Sequence, residues 1–115
     1  MENILTFKDD VTFNSEQVYS VCLRGARLYD KNKPMVIWTK DNYKLVDTPI
    51  RIDPTCTATI VSQNHYKFDD LRDTDYIDNY NISARFFDGL LIAMENIYKD
   101  FSPREIVTIL RFKIN

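Results

Sequence analysis

The C-terminal third of the chain, residues 79–115, reads NYNISARFFDGLLIAMENIYKDFSPREIVTILRFKIN and carries the clearest structural pattern. Apolar side chains recur there at spacings of three and four residues, which predicts an amphipathic helix capped at Ser83. The members of that apolar face are Phe86, Phe87, Leu90, Leu91, Met94, Ile97 and Tyr98. Pro103 ends the helix because proline has no N–H to donate. The β-branched run over residues 106–114 then predicts a closing strand.

The residues before this unit predict a small sheet and one more helix. Asn14 followed by Gln17 resembles a capping box, which predicts a helix that begins at Ser15 and carries a buried stripe as far as Tyr29. Short strands are predicted over residues 4–7, 35–38, 50–52 and 55–62, a turn over 39–42 and an acidic loop over 72–81. This order predicts an α+β fold in which two main helices pack against a small, curved, barrel-like sheet.

Length and composition favour one intracellular domain, residues 1–115. A chain of 115 residues with 44% hydrophobic and 13% aromatic content can bury a core without metal or disulfide help. Only two cysteines occur, Cys22 and Cys56, and the N-terminus lacks the pattern of a signal peptide, so we expect a reduced, cytoplasmic protein. No apolar run approaches the roughly 20 residues that span a bilayer, so no membrane partner is expected.

Charge is distributed unevenly along the chain, although the formal net charge is only −2. Residues 24–51 contain seven basic and three acidic side chains, an excess of four positive charges. Residues 69–105 contain nine acidic and four basic side chains, an excess of five negative charges. The net charge argues against a protein that coats nucleic acid, while the basic segment favours local contact with a phosphate or a base.

A resemblance to a known family is carried by the second half of the chain. The run Asp78-Asn79-Tyr80-Asn81-Ile82, the helix that ends in Ile97-Tyr98 and the strand from Val107 to Lys113 are similar to the C-terminal half of an ASCH domain. The similarity extends from about Thr57 to Ile114. It implies a PUA-like barrel that binds RNA, a nucleotide or a modified base in a cleft between barrel and helices, with no cofactor.

The same resemblance implies a possible enzyme, because some bacterial ASCH proteins are acetylcytidine amidohydrolases. Their catalytic residues are a lysine and a threonine of a Gly-Arg-Lys-Thr type motif and an acidic residue before an asparagine. Asp78 matches the acidic position. Lys33 matches the lysine if the strand at 35–38 is the motif strand, whereas Arg27 matches it if Gly25-Ala26-Arg27 is the motif. Either alignment loses the threonine hydroxyl, so the catalytic set predicted here is Lys33 and Asp78.

The predicted ligand contacts combine cations with the Asn79 segment. Arg24, Arg27 and Lys40 are expected to contact a phosphate or a base, and Asn79 and Tyr80 are expected to line the pocket.

Other residue types give weaker signals. The two cysteines lack CxxC spacing, so no metal site is predicted. His65 is interpreted as a hydrogen-bonded surface residue. A protein-interaction or inhibitor module of viral or mobile-element origin remains an alternative, with a protein partner at the acidic segment 69–78.

Overall fold

A computed structural model of the chain describes residues 3–7, 11–38, 43–45, 49–51 and 56–115. Its strands are β1 (Asn3–Thr6), β2 (Val18–Arg24), β3 (Met35–Trp38), β4 (Tyr43–Leu45), β5 (Pro49–Arg51), β6 (Cys56–Lys67) and β7 (Ile106–Ile114). Its α-helices are α1 (Asp73–Tyr76), a single turn, and α2 (Phe87–Ile97). Two 3-10 turns cover Phe68–Asp70 and Ile82–Ala84.

Five strands form one curled sheet in the order β1-β3-β6-β7-β2, and β4 pairs with β5 separately. β1 and β3 are parallel, and the other pairs in the sheet are antiparallel. The curl is visible in the packing, because Leu5 of β1 and Val21 of β2 belong to the same buried cluster. In a flat sheet these edge strands would lie about 19 Å apart. A β-bulge between Ile60 and Ser62 adds bend to β6, and the result is a half-barrel.

The two faces of the sheet bury separate cores. The first lies inside the curl and takes its side chains mainly from the five strands, with Leu110 and Phe112 of β7 fully buried. The second lies between the other face and α2, where Val107 and Ile109 of β7 meet Leu90 among others. β7 is therefore apolar on both faces along its first half. Strands buried on both sides lose the simple alternation of apolar and polar residues.

The segment predicted as the first helix is a strand, so that prediction is wrong. Residues 18–24 form β2, which pairs along its length with β7. The apolar spacing is misleading there because β2 is also buried on both faces, with Val21 in the first core and Cys22 in the second. Its apolar run therefore imitates helical spacing. Glu16, with φ of 67°, lies in the left-handed region and would interrupt a helix at once.

Other predictions agree more closely with the structure. The α+β class, the barrel-like sheet, the closing strand and the helix before it are confirmed. The helix begins at Phe87, because Ser83 lies in a separate 3-10 turn. The strand predicted to end at Ser62 continues to Lys67, and the acidic loop contains α1. The turn predicted over 39–42, which includes Lys40, falls outside the described residues.

Candidate functional site

A cavity of about 910 Å³ lies where the half-barrel is open. Its walls come from the two edge strands β1 and β2, from the segment 79–81 and from one side of α2. Much of the wall is apolar, and its polar and aromatic side chains include Arg27, Asn79, Tyr80, Asn81, Asn96 and Tyr98. Small-molecule sites typically combine such an apolar wall with a few convergent polar groups.

The outer edge of β2 presents main-chain groups to this cavity. The N–H of Ser20 donates to the carbonyl oxygen of Asp78 at 2.9 Å, and its carbonyl accepts from the N–H of Tyr80 at 3.0 Å. The main-chain N–H and C=O of Ser20 therefore point away from β7. Alternate residues of an antiparallel strand face the same side, so the N–H and C=O of Cys22 also point away from β7. Cys22 lines the cavity, and no described residue bonds to these two groups.

Segment 79–81 is held against β2 by a set of hydrogen bonds. Asn79 is 2% exposed, and its Oδ1 accepts from the N–H of Asn81 at 2.9 Å. The carbonyl of Asn79 accepts from Arg85 Nε at 2.8 Å. The Tyr80 ring packs edge-on against Phe7 of the segment after β1, with centroids 4.6 Å apart. These contacts connect the two sides of the opening and give the cavity a fixed wall.

Side chains on two neighbouring strands, β6 and β7, hydrogen-bond to the main-chain groups of Arg27. Its N–H donates to Thr108 Oγ1 at 2.8 Å, and the same hydroxyl donates to the carbonyl of Gly25 at 2.7 Å. The carbonyl of Arg27 accepts from His65 Nε2 at 2.6 Å. His65 on β6 and Thr108 on β7 are direct cross-strand partners. One cross-strand pair therefore determines where the Arg27 backbone lies beside the cavity.

The rest of the loop after β2 is fastened in the same way. The side-chain amide of Gln63 accepts from the N–H of Tyr29 at 2.8 Å and donates to its carbonyl at 2.7 Å. Asn3 of β1 accepts from the N–H of Asp30 at 3.0 Å and donates to its carbonyl at 2.7 Å. Side chains of β7, β6 and β1 thus hold one loop, and buried or half-buried polar groups find partners there.

Three of the predicted ligand contacts, Arg27, Asn79 and Tyr80, line the cavity. Arg24 lies outside its lining. The Nε of Arg24 donates to Glu105 Oε1 at 2.6 Å, and its guanidinium carbon lies 5.9 Å from the centroid of the Tyr98 ring. The hydrogen bond from Arg24, assisted by the N–H of Ser102, lowers the pKa of Glu105.

The predicted catalytic pair is not brought to the cavity. Lys33 Nζ lies 3.9 Å from Asp30 Oδ2, and Asp78 Oδ2 accepts from Arg111 Nε at 3.0 Å. Neither Lys33 nor Asp78 is among the lining residues. Arg111 also donates to the carbonyl of Thr74 in α1, so the Asp78 carboxylate is part of the connection between β7 and α1.

The sequence reading missed several residues that build the site. Thr108 has no local signal, because its partners lie more than 80 residues earlier in the chain. Cys22 lies within the segment that the sequence predicts as a helix, and a helix has no strand edge to offer. The interpretation of His65 as a hydrogen-bonded surface residue is confirmed. Spacing along the chain cannot show such a pair of cross-strand contacts, since the contacts depend on the register of β6 against β7.

The Cys22 thiol at the cavity wall is a poor nucleophile. Burial raises the pKa of the Cys22 thiol to about 12, so the thiolate is scarce near neutral pH. Within the described part of the chain, no group of three or more His, Cys, Asp or Glu side chains could hold a metal ion. The described part of the wall therefore offers hydrogen-bonding groups, aromatic rings and the guanidinium of Arg27.

Comparison of the chain with protein-family models, with curated proteins and with solved structures finds no match in any of the three. Among the described residues, neither the length nor the apolar content of any helix suffices to cross a membrane.

Proposed function

We propose that the protein is an ASCH-like domain that binds a nucleobase, in a free nucleotide or in RNA, in the cavity between half-barrel and α2. The ASCH resemblance from about Thr57 to Ile114 motivates the class of ligand. The observation that carries the proposal is the meeting of Arg27, Asn79 and Tyr80 at one cavity, beside the main-chain N–H and C=O of Cys22, to which no described residue bonds.

The hydrogen-bonding groups of the wall suit the edge of a base. Bases present donors and acceptors side by side along one edge, and proteins read them with groups that reproduce that pattern. Cys22 supplies a main-chain donor and acceptor on one residue, and the Asn96 amide adds side-chain groups of both kinds. The Oδ1 atoms of Asn79 and Asn81 already accept from the N–H groups of Asn81 and Ser83, so these two side chains add mainly their amide N–H groups. The wall can thus hold a planar polar edge without carrying much charge.

The apolar and aromatic parts of the wall suit the faces of a base. Tyr80 and Tyr98 line the cavity together with apolar side chains of the strands and α2. Stacking of a base on an aromatic ring is worth about 1–3 kcal/mol and tolerates any base. The volume of about 910 Å³ lies within the range of small-molecule sites and leaves room for a sugar as well.

We propose that the protein binds its ligand without hydrolysing an acylated base. Removing an acyl group requires a nucleophile or an activated water beside a proton donor. Lys33 and Asp78, the residues predicted for those roles, pair with Asp30 and Arg111 instead.

The test is calorimetric titration of the four ribonucleosides and of short single-stranded RNA at low salt, where charge contacts are strongest. Ala93→Leu is designed to place a larger apolar side chain in the cavity, which Ala93 lines, and should weaken binding. Glu95→Leu is the matched control, because it adds the same side chain to an exposed position of α2 that does not line the cavity.

Circular dichroism and thermal unfolding of both variants report whether each is folded, since overpacking costs about 1–3 kcal/mol. Wild-type protein that binds no nucleoside and no RNA would refute the proposal. So would an affinity that is the same in folded Ala93→Leu as in Glu95→Leu.

A further inference from the structure

The described part of the cavity wall carries a single positive charge. Among the residues that the structure describes, Arg27 is the one charged side chain in the lining, and no carboxylate joins it. Arg27 Nε donates to the carbonyl of Arg24 at 3.1 Å, and no described residue accepts from its terminal amino groups. Among the described residues, an exposed side chain therefore presents two adjacent donors with positive charge at a wall that mixes apolar and polar groups. That arrangement favours an anionic partner.

Residues on two other strands fix the backbone of Arg27, and this restricts where its guanidinium can lie. Thr108 and His65 hold the N–H and the C=O of Arg27, so the Arg27 backbone cannot shift without breaking two hydrogen bonds. A guanidinium on a fixed backbone loses less conformational entropy when it binds, which increases affinity.

We infer that the ligand carries a phosphate group bound by Arg27, and that Thr108 and His65 are positioning residues for that contact. The inference rests on the proposed function, because a nucleoside acquires its negative charge through phosphate. The same chemistry occurs in a nucleoside monophosphate and in the phosphodiester of RNA. Both would present oxygen acceptors to the terminal amino groups of Arg27.

Calorimetric titration with cytidine, cytidine 5′-monophosphate and the dinucleotide CpU tests the inference. At least one phosphorylated compound should bind about tenfold more tightly than cytidine, as expected for hydrogen bonds to a charged group. Preference for the monophosphate would indicate a free nucleotide, and preference for CpU would indicate RNA.

Arg27→Gln should abolish the preference, so that in this variant cytidine and the phosphorylated compounds bind with the same affinity. Arg104→Gln removes the same charge from an exposed position outside the cavity and should keep the preference. Equal binding of all three compounds to wild-type protein would overturn the inference and leave the proposed function standing. Binding of none would overturn both.

The positioning role is tested by the ratio of affinities, which a general loss of stability does not change. Thr108→Val removes the hydroxyl and should reduce the preference for the phosphorylated compound, whereas Thr108→Ser keeps the hydroxyl and should restore it. A preference that is the same in the valine and serine variants would overturn the role assigned to Thr108. His65→Ala should reduce the ratio as well, because it releases the carbonyl of Arg27.

Discussion

Replacing Thr108 by valine removes one buried hydroxyl from the centre of the sheet. Thr108 is fully buried, and its Oγ1 accepts from Arg27 N–H at 2.8 Å and donates to Gly25 C=O at 2.7 Å. Valine is similar in shape and is equally suited to a strand, so packing and strand propensity change little. The loss is therefore mainly that of two hydrogen bonds between β7 and the loop after β2.

The cost of Thr108→Val follows from the burial of the two partners. Each hydrogen bond contributes about 0.5–1.5 kcal/mol, so the free energy of unfolding should fall by about 1–3 kcal/mol. Arg27 is exposed and Gly25 is half-buried, so water can reach part of the released groups. We therefore expect about 2 kcal/mol, near the middle of that range.

Urea unfolding followed by circular dichroism measures this change. With a slope of roughly 2 kcal/mol per molar urea, the midpoint should fall by about 1 M. Thr59→Val is the control, because the Thr59 side chain is exposed on β6 and its hydroxyl donates to the exposed side chain of Asn115. Its effect should stay within about 0.5 kcal/mol. Equal effects of the two substitutions would refute the reasoning that the Thr108 hydroxyl connects the loop to the sheet.

Three further substitutions test other parts of the fold. Gly89→Ala should destabilise the protein by roughly 2 kcal/mol in thermal unfolding, although alanine favours helices, because the new methyl would collide with the carbonyl oxygen of Ser83; stabilisation would contradict the packing of α2. The hydrogen bond from Arg24 lowers the pKa of Glu105 below its usual 4.5, so the ionised group stabilises the fold above that pH. The stability difference between wild type and Glu105→Gln should therefore vanish as the pH falls through the lowered pKa, and a constant difference would contradict this. Leu110→Ala, at a fully buried position, should cost about 2–5 kcal/mol in urea unfolding, and a loss below 1 kcal/mol would show that the first core is loosely packed.

Local patterns were sufficient where one element has one buried face or a clear breaker. The helix before Tyr98 and the strand over 106–114 were predicted because apolar spacing and Pro103 act within a few residues. The same rules failed at β2, where burial on both faces imitates helical spacing. Whether the apolar run there forms a helix or a strand depends on pairing with β7, which is far away in sequence.

The candidate site divides in the same way. Charge and the family resemblance are enough to name Arg27, Asn79 and Tyr80 as residues that could bind a polar ligand. That these three meet at one cavity while Lys33 and Asp78 pair elsewhere is visible in the folded chain alone. Strand register and the curl of the sheet set which distant side chains become neighbours, and neither can be read from local spacing.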